Sequence, residues 1–175
     1  MGWKNVKEHY RIDHIVCVAD DMLYIGSPYV HDLIVIAMDG TVIKRYQDGG
    51  NDNLRRYMRE FDAAPNTLRQ LIQLPDSFSD SIAVYTFAGA EITTKACELP
   101  GFPNVTHDGE LMYDNTFSTD KAEVVEWAKQ AAAAGARLAK LRAEEYRTKL
   151  AEAESLMKEC LGDLAALGWM ANEDL

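Results

Sequence analysis

Residues 119 to 167 read TDKAEVVEWAKQAAAAGARLAKLRAEEYRTKLAEAESLMKECLGDLAAL. No proline occurs in this stretch, and only Gly135 and Gly162 interrupt a composition dominated by Ala, Glu, Lys, Leu and Arg. It reads as one long helix, because those side chains lose little freedom on helix formation. Thr119 and Asp120 supply N-cap oxygens, and Glu123 and Glu126 put negative charge in the first turns, where the helix dipole favours it. Glu145 with Lys149, and Glu154 with Lys158, are correctly oriented pairs four residues apart.

Two apolar stripes run along this helix. Val124, Trp127, Ala131, Ala134, Leu138 and Leu141 step by three and four, and Leu150, Ala153, Met157, Cys160, Leu164 and Leu167 resume the stepping after a phase break near Tyr146. The first stripe, with Trp127 and small residues, suits packing on the chain's own sheet. At a rise of about 1.5 Å per residue the unbroken helix would be roughly 70 Å long. A globule built from the preceding residues should be only about 35 Å across. The distal stripe, with Leu150, Met157 and Leu164, therefore needs another surface. The chain folds back into a helical hairpin near Gly135 or the phase break, or it pairs with another chain, which makes a homodimer one expected outcome.

Upstream of the helix the pattern is that of strands and short helices. Ile12 to Ala19 reads as a strand before an Asp20-Asp21 turn, and Met22 to Gly26 as its hairpin partner. His31 to Met38 is an apolar strand ended by Asp39-Gly40, a two-residue hairpin signal, and Thr41 to Tyr46 returns. Asn51 or Asp52 caps a helix through Phe61, with Leu54, Tyr57, Met58 and Phe61 on one face and Arg55, Arg56 and Arg59 on the other. Pro65 opens a second short helix to Leu74. Ser81 to Ala88 and Ala90 to Cys97 alternate around Gly89 as a second hairpin. The expected fold is α+β, an antiparallel sheet in two hairpin blocks with short helices and a long C-terminal helix or helical hairpin. Residues 1 to 118 form the globular domain and 119 to 175 the helical segment.

Charge and cysteine usage bound the function. The 175 residues carry a net charge of −10. Residues 76 to 118 hold seven of the acids, Asp108, Glu110 and Asp114 among them, against Lys95 alone. A field of this sign disfavours non-specific binding to nucleic-acid phosphates and permits binding to a basic partner. Cys17, Cys97 and Cys160 are odd in number and far apart, which fits a reducing cytoplasm better than a disulfide framework. The longest apolar runs, such as Leu33 to Met38, fall far short of the ~20 residues that cross a bilayer, and the expectation is a soluble cytoplasmic protein with no membrane span or leader.

No catalytic motif is intact. Leu33 to Thr41 resembles the phosphatase signature of the haloacid dehalogenase superfamily, but Ala37 stands where that family has its nucleophilic aspartate and only Asp39 remains. His14 with His31-Asp32 resembles the metal-binding pattern of the HD phosphohydrolases, whose ligands lie on helices rather than at the start of a β-branched strand. His107-Asp108-Gly109-Glu110 gathers titratable groups in a loop and could serve a metal or a general base. Cys17 and His14 point to opposite faces of an alternating strand, so they make no nucleophile and base pair. No glycine-rich phosphate loop or zinc spacing is present, and no cofactor is implied. Arg55, Arg56 and Arg59 are the one basic cluster.

The segments Ile25-Gly26-Ser27-Pro28-Tyr29, Lys44-Arg45-Tyr46, Asn53-Leu54-Arg55-Arg56-Tyr57 and Asn104 to Glu110 resemble a family of uncharacterised phage and prophage accessory proteins over residues 1 to about 130. That resemblance carries no catalytic residues. It implies a context in which small acidic proteins bind host machinery, including defence nucleases. The leading expectation is a non-enzymatic phage-derived protein that inhibits a host factor, a protein or ribonucleoprotein, in the host cytoplasm, with anti-CRISPR activity as its narrowest form. The expected contacts are Asp108, Glu110 and Asp114 on the acidic surface, Leu150, Met157 and Leu164 on the distal stripe, and the three arginines. A small metal-dependent hydrolase or nuclease using the His107-Asp108 loop, and a phage structural or assembly protein, are the alternatives.

Overall fold

A computed structural model describes residues 2–47 and 49–173, with side chains as far as Gly168. Four strands, β1 (Ile15–Ala19), β2 (Met22–Gly26), β3 (Ile34–Ala37) and β4 (Val42–Lys44), form an antiparallel sheet in that spatial order. Asp20 and Asp21 close the first hairpin with φ of 48° and 54°, a left-handed pair that short polar side chains tolerate. Gly40, at φ 85°, closes the third, where Asp39 Oδ1 accepts a bond from Thr41 N at 2.8 Å. That bond is a local turn contact, the role read for Asp39 from its sequence setting.

Strand alternation sorts the sheet into two faces. Val16, Leu23, Ile25, Ile34 and Ile36 are buried against α1 (Trp3–His9), α2 (Asp52–Ala63) and α3 (Pro65–Gln73), which contribute Val6, Leu54, Tyr57, Phe61, Leu68 and Ile72. α2 presents its apolar residues at helical spacing because Asn51 starts it, accepting from Leu54 N at 3.2 Å. α1 has no cap of its own. Asp76, from the segment after α3, supplies a carboxylate oxygen to Asn5 N at 2.8 Å and ties the two elements together.

The strand boundaries are tighter than the sequence pattern suggests. Ile12 lies just beyond α1 and caps it, its N–H bonded to Lys7 O, and Asp13 N donates to the Tyr57 hydroxyl at 3.0 Å, so β1 starts only at Ile15. Residues 31 to 33 stay outside the ladder because Ser27 turns the chain back, its Oγ accepting from Tyr29 N and Val30 N. A register shift between Val35 and Ile36 shortens β4.

The second hairpin, β5 (Ile82–Ala88) and β6 (Glu91–Cys97), turns at Gly89 and stands as a separate two-stranded sheet. Val84 and Cys97 pack there with Met112 and Phe117. The chain that follows occupies both edges of this hairpin. Tyr85 and Ser118 exchange both backbone bonds, and His107 N donates to Ala96 O at 2.7 Å. Gly109 O in turn accepts from Val18 N at 2.8 Å, which docks the loop on the free edge of β1. Gly109 is at φ 90°, and a Cβ there would run into the Val18 side chain.

The last element is α4 (Lys121–Glu173), one uninterrupted helix of 53 residues. Asp120 starts it, accepting from Ala122 N at 2.8 Å, while Ser118 Oγ donates to Glu123 at 2.6 Å. Glu145 and Lys149 pair at 2.6 Å as their spacing predicts. The expected fold-back into a hairpin does not occur. Gly135 and Gly162 each cost about 1 kcal/mol relative to alanine, too little to break a helix in so strong a helical context. Val124 and Ala128 are buried, whereas Leu138 and Leu141 are 50% and 63% exposed. The chain accordingly divides into two compact units, Met1–Ala128 and Lys129–Leu175, with the division inside α4.

Candidate functional site

The face of the meander turned away from α1, α2 and α3 is the floor of a cleft of about 750 Å³. Cys17 and Tyr24 face each other across β1 and β2 on that floor, and Leu111 packs with Ile15 and Cys17 beneath one wall. The loop from Tyr29 to Asp32 makes one side, while Thr86, Phe87 and residues 110 to 117 make the other. Tyr29, 89% exposed, stands at the mouth.

Across this cleft the Tyr113 hydroxyl meets His31 Nε2 at 2.9 Å, joining two loops that are 82 residues apart in the chain. Tyr113 also lies edge-on to the imidazole and stacks on Phe102 with centroids 5.7 Å apart. His31 Nδ1 is buried without a partner. Asp32 is held by Lys44 at 2.6 Å, and that ammonium keeps its carboxyl below the usual range. Glu110 pairs with Lys95. Aromatic and aliphatic walls with a few convergent polar groups are the composition of a ligand-binding cleft. Cys17 lies in the lining of the cleft, where burial pushes the thiol up, away from the reactive thiolate.

The residues singled out from the sequence fall in three places. His107 is held by structure. Its ring stacks on Phe78 at 3.8 Å, Nε2 contacts Asp80 O at 3.1 Å, and its carbonyl accepts from Trp3 Nε1 at 3.0 Å. Lys95 lies between Asp108 and Glu110, binding the first at 2.6 Å, and Thr106 Oγ1 donates to the other Asp108 oxygen. Burial works against the Asp108 charge, yet Lys95 and Thr106 outweigh it and the carboxyl sits low. Burial likewise opposes the Lys95 charge, but the two carboxylates raise that ammonium. Asp114 is exposed and accepts from Phe102 N at 3.3 Å. Among the described residues no group of three or more His, Cys, Asp and Glu is placed to hold a metal ion.

The arginines split. Arg56 bonds the carbonyls of Tyr10 and Arg11, pairs with Glu60 at 3.0 Å and lies over the Tyr57 ring, so it clamps α2 to the end of α1. Arg55 pairs with Asp52 at 2.9 Å, and Arg59 is exposed. His14 sits by Tyr57 OH and Asn51 Nδ2, with burial lowering its pKa, on the side of β1 opposite the Cys17 cluster.

The third place is α4. From Lys129 to Gly168 every side chain is exposed, and Leu150, Met157 and Leu164 are 59%, 58% and 65% accessible. No described helix is long and apolar enough to cross a membrane. The helix and its stripe were legible from periodicity. The cleft was not, because His31 and Tyr113 meet only through the docking of the loop after β6, and no spacing signals that. Comparison with protein-family models, with curated proteins and with solved structures finds no match for the chain.

Proposed function

We propose that this chain is a non-enzymatic interaction protein that works by binding other proteins, with α4 as its main binding element. The observation that carries this reading is the run from Lys129 to Gly168, exposed throughout and bearing Leu150, Met157 and Leu164 in one stripe. The His107 loop supports it from the other side. A metal-dependent hydrolase would need His107 and its acids free to meet a metal or a substrate, and instead the imidazole is stacked and Lys95 bridges Asp108 and Glu110.

The partner class follows from charge and from the resemblance to phage accessory proteins. A chain at −10, with its acids concentrated between residues 76 and 118, suits a basic protein or ribonucleoprotein surface. A host defence factor in the host cytoplasm is the partner that the phage resemblance favours, and anti-CRISPR action is its narrowest version. The test uses the full chain as bait in a bacterial host extract at moderate salt, beside a Glu91→Lys/Asp114→Lys variant. Recovery of one specific host protein, reduced in the variant, is the expected result; recovery of none by the wild-type chain overturns the host-factor reading.

A second reading, a phage structural or assembly protein, is favoured by one observation. Leu150, Ala153, Met157, Cys160, Leu164 and Leu167 repeat in strict steps of three and four, the seam of a self-pairing helix. The mass of the purified chain in solution bears on it directly, and a strict monomer excludes it.

A further inference from the structure

We infer that α4 pairs with α4 of a second copy of this chain, antiparallel, about a twofold axis between Ala151 and Glu152. This rests on α4 being the protein-binding element and names its occupant. With Leu150, Met157 and Leu164 at position a of a heptad and Ala153, Cys160 and Leu167 at d, the same register runs upstream without a break. Ala136 and Ala143 fall at a, and Ala139 and Tyr146 at d. Small residues fill this seam before the phase break near Tyr146 and large ones after it. Leu138 and Leu141 lie off the seam, at c and f. Gly135 and Gly162 lie at g and f, clear of its core positions.

That asymmetry selects the direction. In a parallel, in-register pair each layer would match a residue with its own copy, leaving three all-alanine layers at one end and the leucines crowded at the other. In the antiparallel pair Leu167 faces Ala136, Leu164 faces Ala139 and Leu150 faces Ala153. Tyr146 meets Met157, and Cys160 meets Ala143. Facing large against small fills a seam without voids or strain.

Charge selects the same direction independently. Flanking positions in an antiparallel pair meet e to e and g to g, which sets Arg147 against Glu154 and Arg142 against Asp163. Lys140 and Lys149 meet Leu161 and Leu156, whose exposed side chains the lysine stems can cover. The parallel arrangement would instead set one like-charge contact, Arg142 against Arg147, beside one attractive contact, Lys149 against Glu154, where the antiparallel pair has two attractive contacts and no like-charge one. Both the size pattern and the charge pattern are self-complementary, and a second copy satisfies both at once.

Cysteine chemistry supplies the test. Cys160 is exposed, whereas Cys17 and Cys97 are buried. In the antiparallel register Cys160 is about 25 Å along the helix from its own symmetry mate, at 1.5 Å per residue, but it faces Ala143. The full-length chain and an Ala143→Cys variant are oxidised with copper phenanthroline and run on a denaturing gel without reductant, with solution mass measured beforehand. The inference expects both to be dimers of twice 19.6 kDa, with Ala143→Cys converted mostly to a covalent dimer through the introduced thiol and Cys160, and the wild type left uncrosslinked. Positions 143 and 160 of one helix are too far apart to join within a chain, so a bond between them reports the partner. A dimer in which the wild type crosslinks through Cys160 alone overturns the antiparallel arrangement and leaves α4 as a binding element. A monomer that retains a host partner overturns self-pairing and leaves the proposed function. A monomer with no partner overturns both.

Discussion

Glu98 gathers three donors on one carboxylate oxygen: Lys4 Nζ at 2.7 Å, Ser79 N at 2.7 Å and Ser79 Oγ at 3.0 Å. The Lys4 bond, with Ser79 behind it and partial burial opposing, lowers its carboxyl from 4.5 to about 2. A folded-state value below the unfolded one adds stability that is fully present above the unfolded pKa and is lost as pH falls from about 4.5 toward 2. Glu98→Gln should therefore cost about 1–2 kcal/mol at neutral pH, and the penalty should shrink through that acid window. Urea unfolding of both proteins at a series of pH values checks this, and a penalty that does not change with pH contradicts it. Nothing in the sequence pairs Lys4 with Glu98, because the contact forms only once α1 has docked beside β6. The same holds for His31 with Tyr113 and for the stacked His107. What the sequence did carry at this scale is local: Asp39 bonding its own turn, Asn51 capping α2, and Cys17 and His14 on opposite faces of β1.

At the scale of elements, periodicity located the strands and helices because burial of one face leaves a direct trace in residue order. The ends were harder to place. Ile12 is β-branched and precedes a strand, yet it caps α1 from beyond its last turn, since its N–H has an acceptor in Lys7 O. Within α2 the two faces should respond to substitution very differently. Leu54 is 1% exposed in the main core, so Leu54→Ala should cost about 2–5 kcal/mol, whereas Arg59→Ala on the solvent side should stay within about 0.5 kcal/mol. Chemical denaturation of the two variants separates these outcomes, and equal costs would mean that α2 is not packed as described. α4 follows a different logic. Its length was legible from the absence of breakers, but the sequence alone left open a fold-back at Gly135. The intact backbone through both glycines settles it, since each costs too little to end a helix surrounded by alanine, lysine and leucine.

At the scale of the whole molecule, the chain joins a compact α+β unit to a helical unit in which Leu150, Met157 and Leu164 are exposed. Pairing would remove leucine, methionine and tyrosine side chains from water, each worth about 1.5–3 kcal/mol when fully buried. On the pairing inferred above, α4 would join two copies, and the acids between residues 76 and 118 would be left for the basic partner proposed. The most direct test is sedimentation equilibrium of the full chain over a wide concentration range, beside a Leu150→Asp/Met157→Asp/Leu164→Asp variant that leaves the compact unit untouched. Self-pairing predicts a wild-type mass of twice 19.6 kDa and a variant at 19.6 kDa with the same core stability. A wild-type mass of 19.6 kDa at every concentration would contradict it.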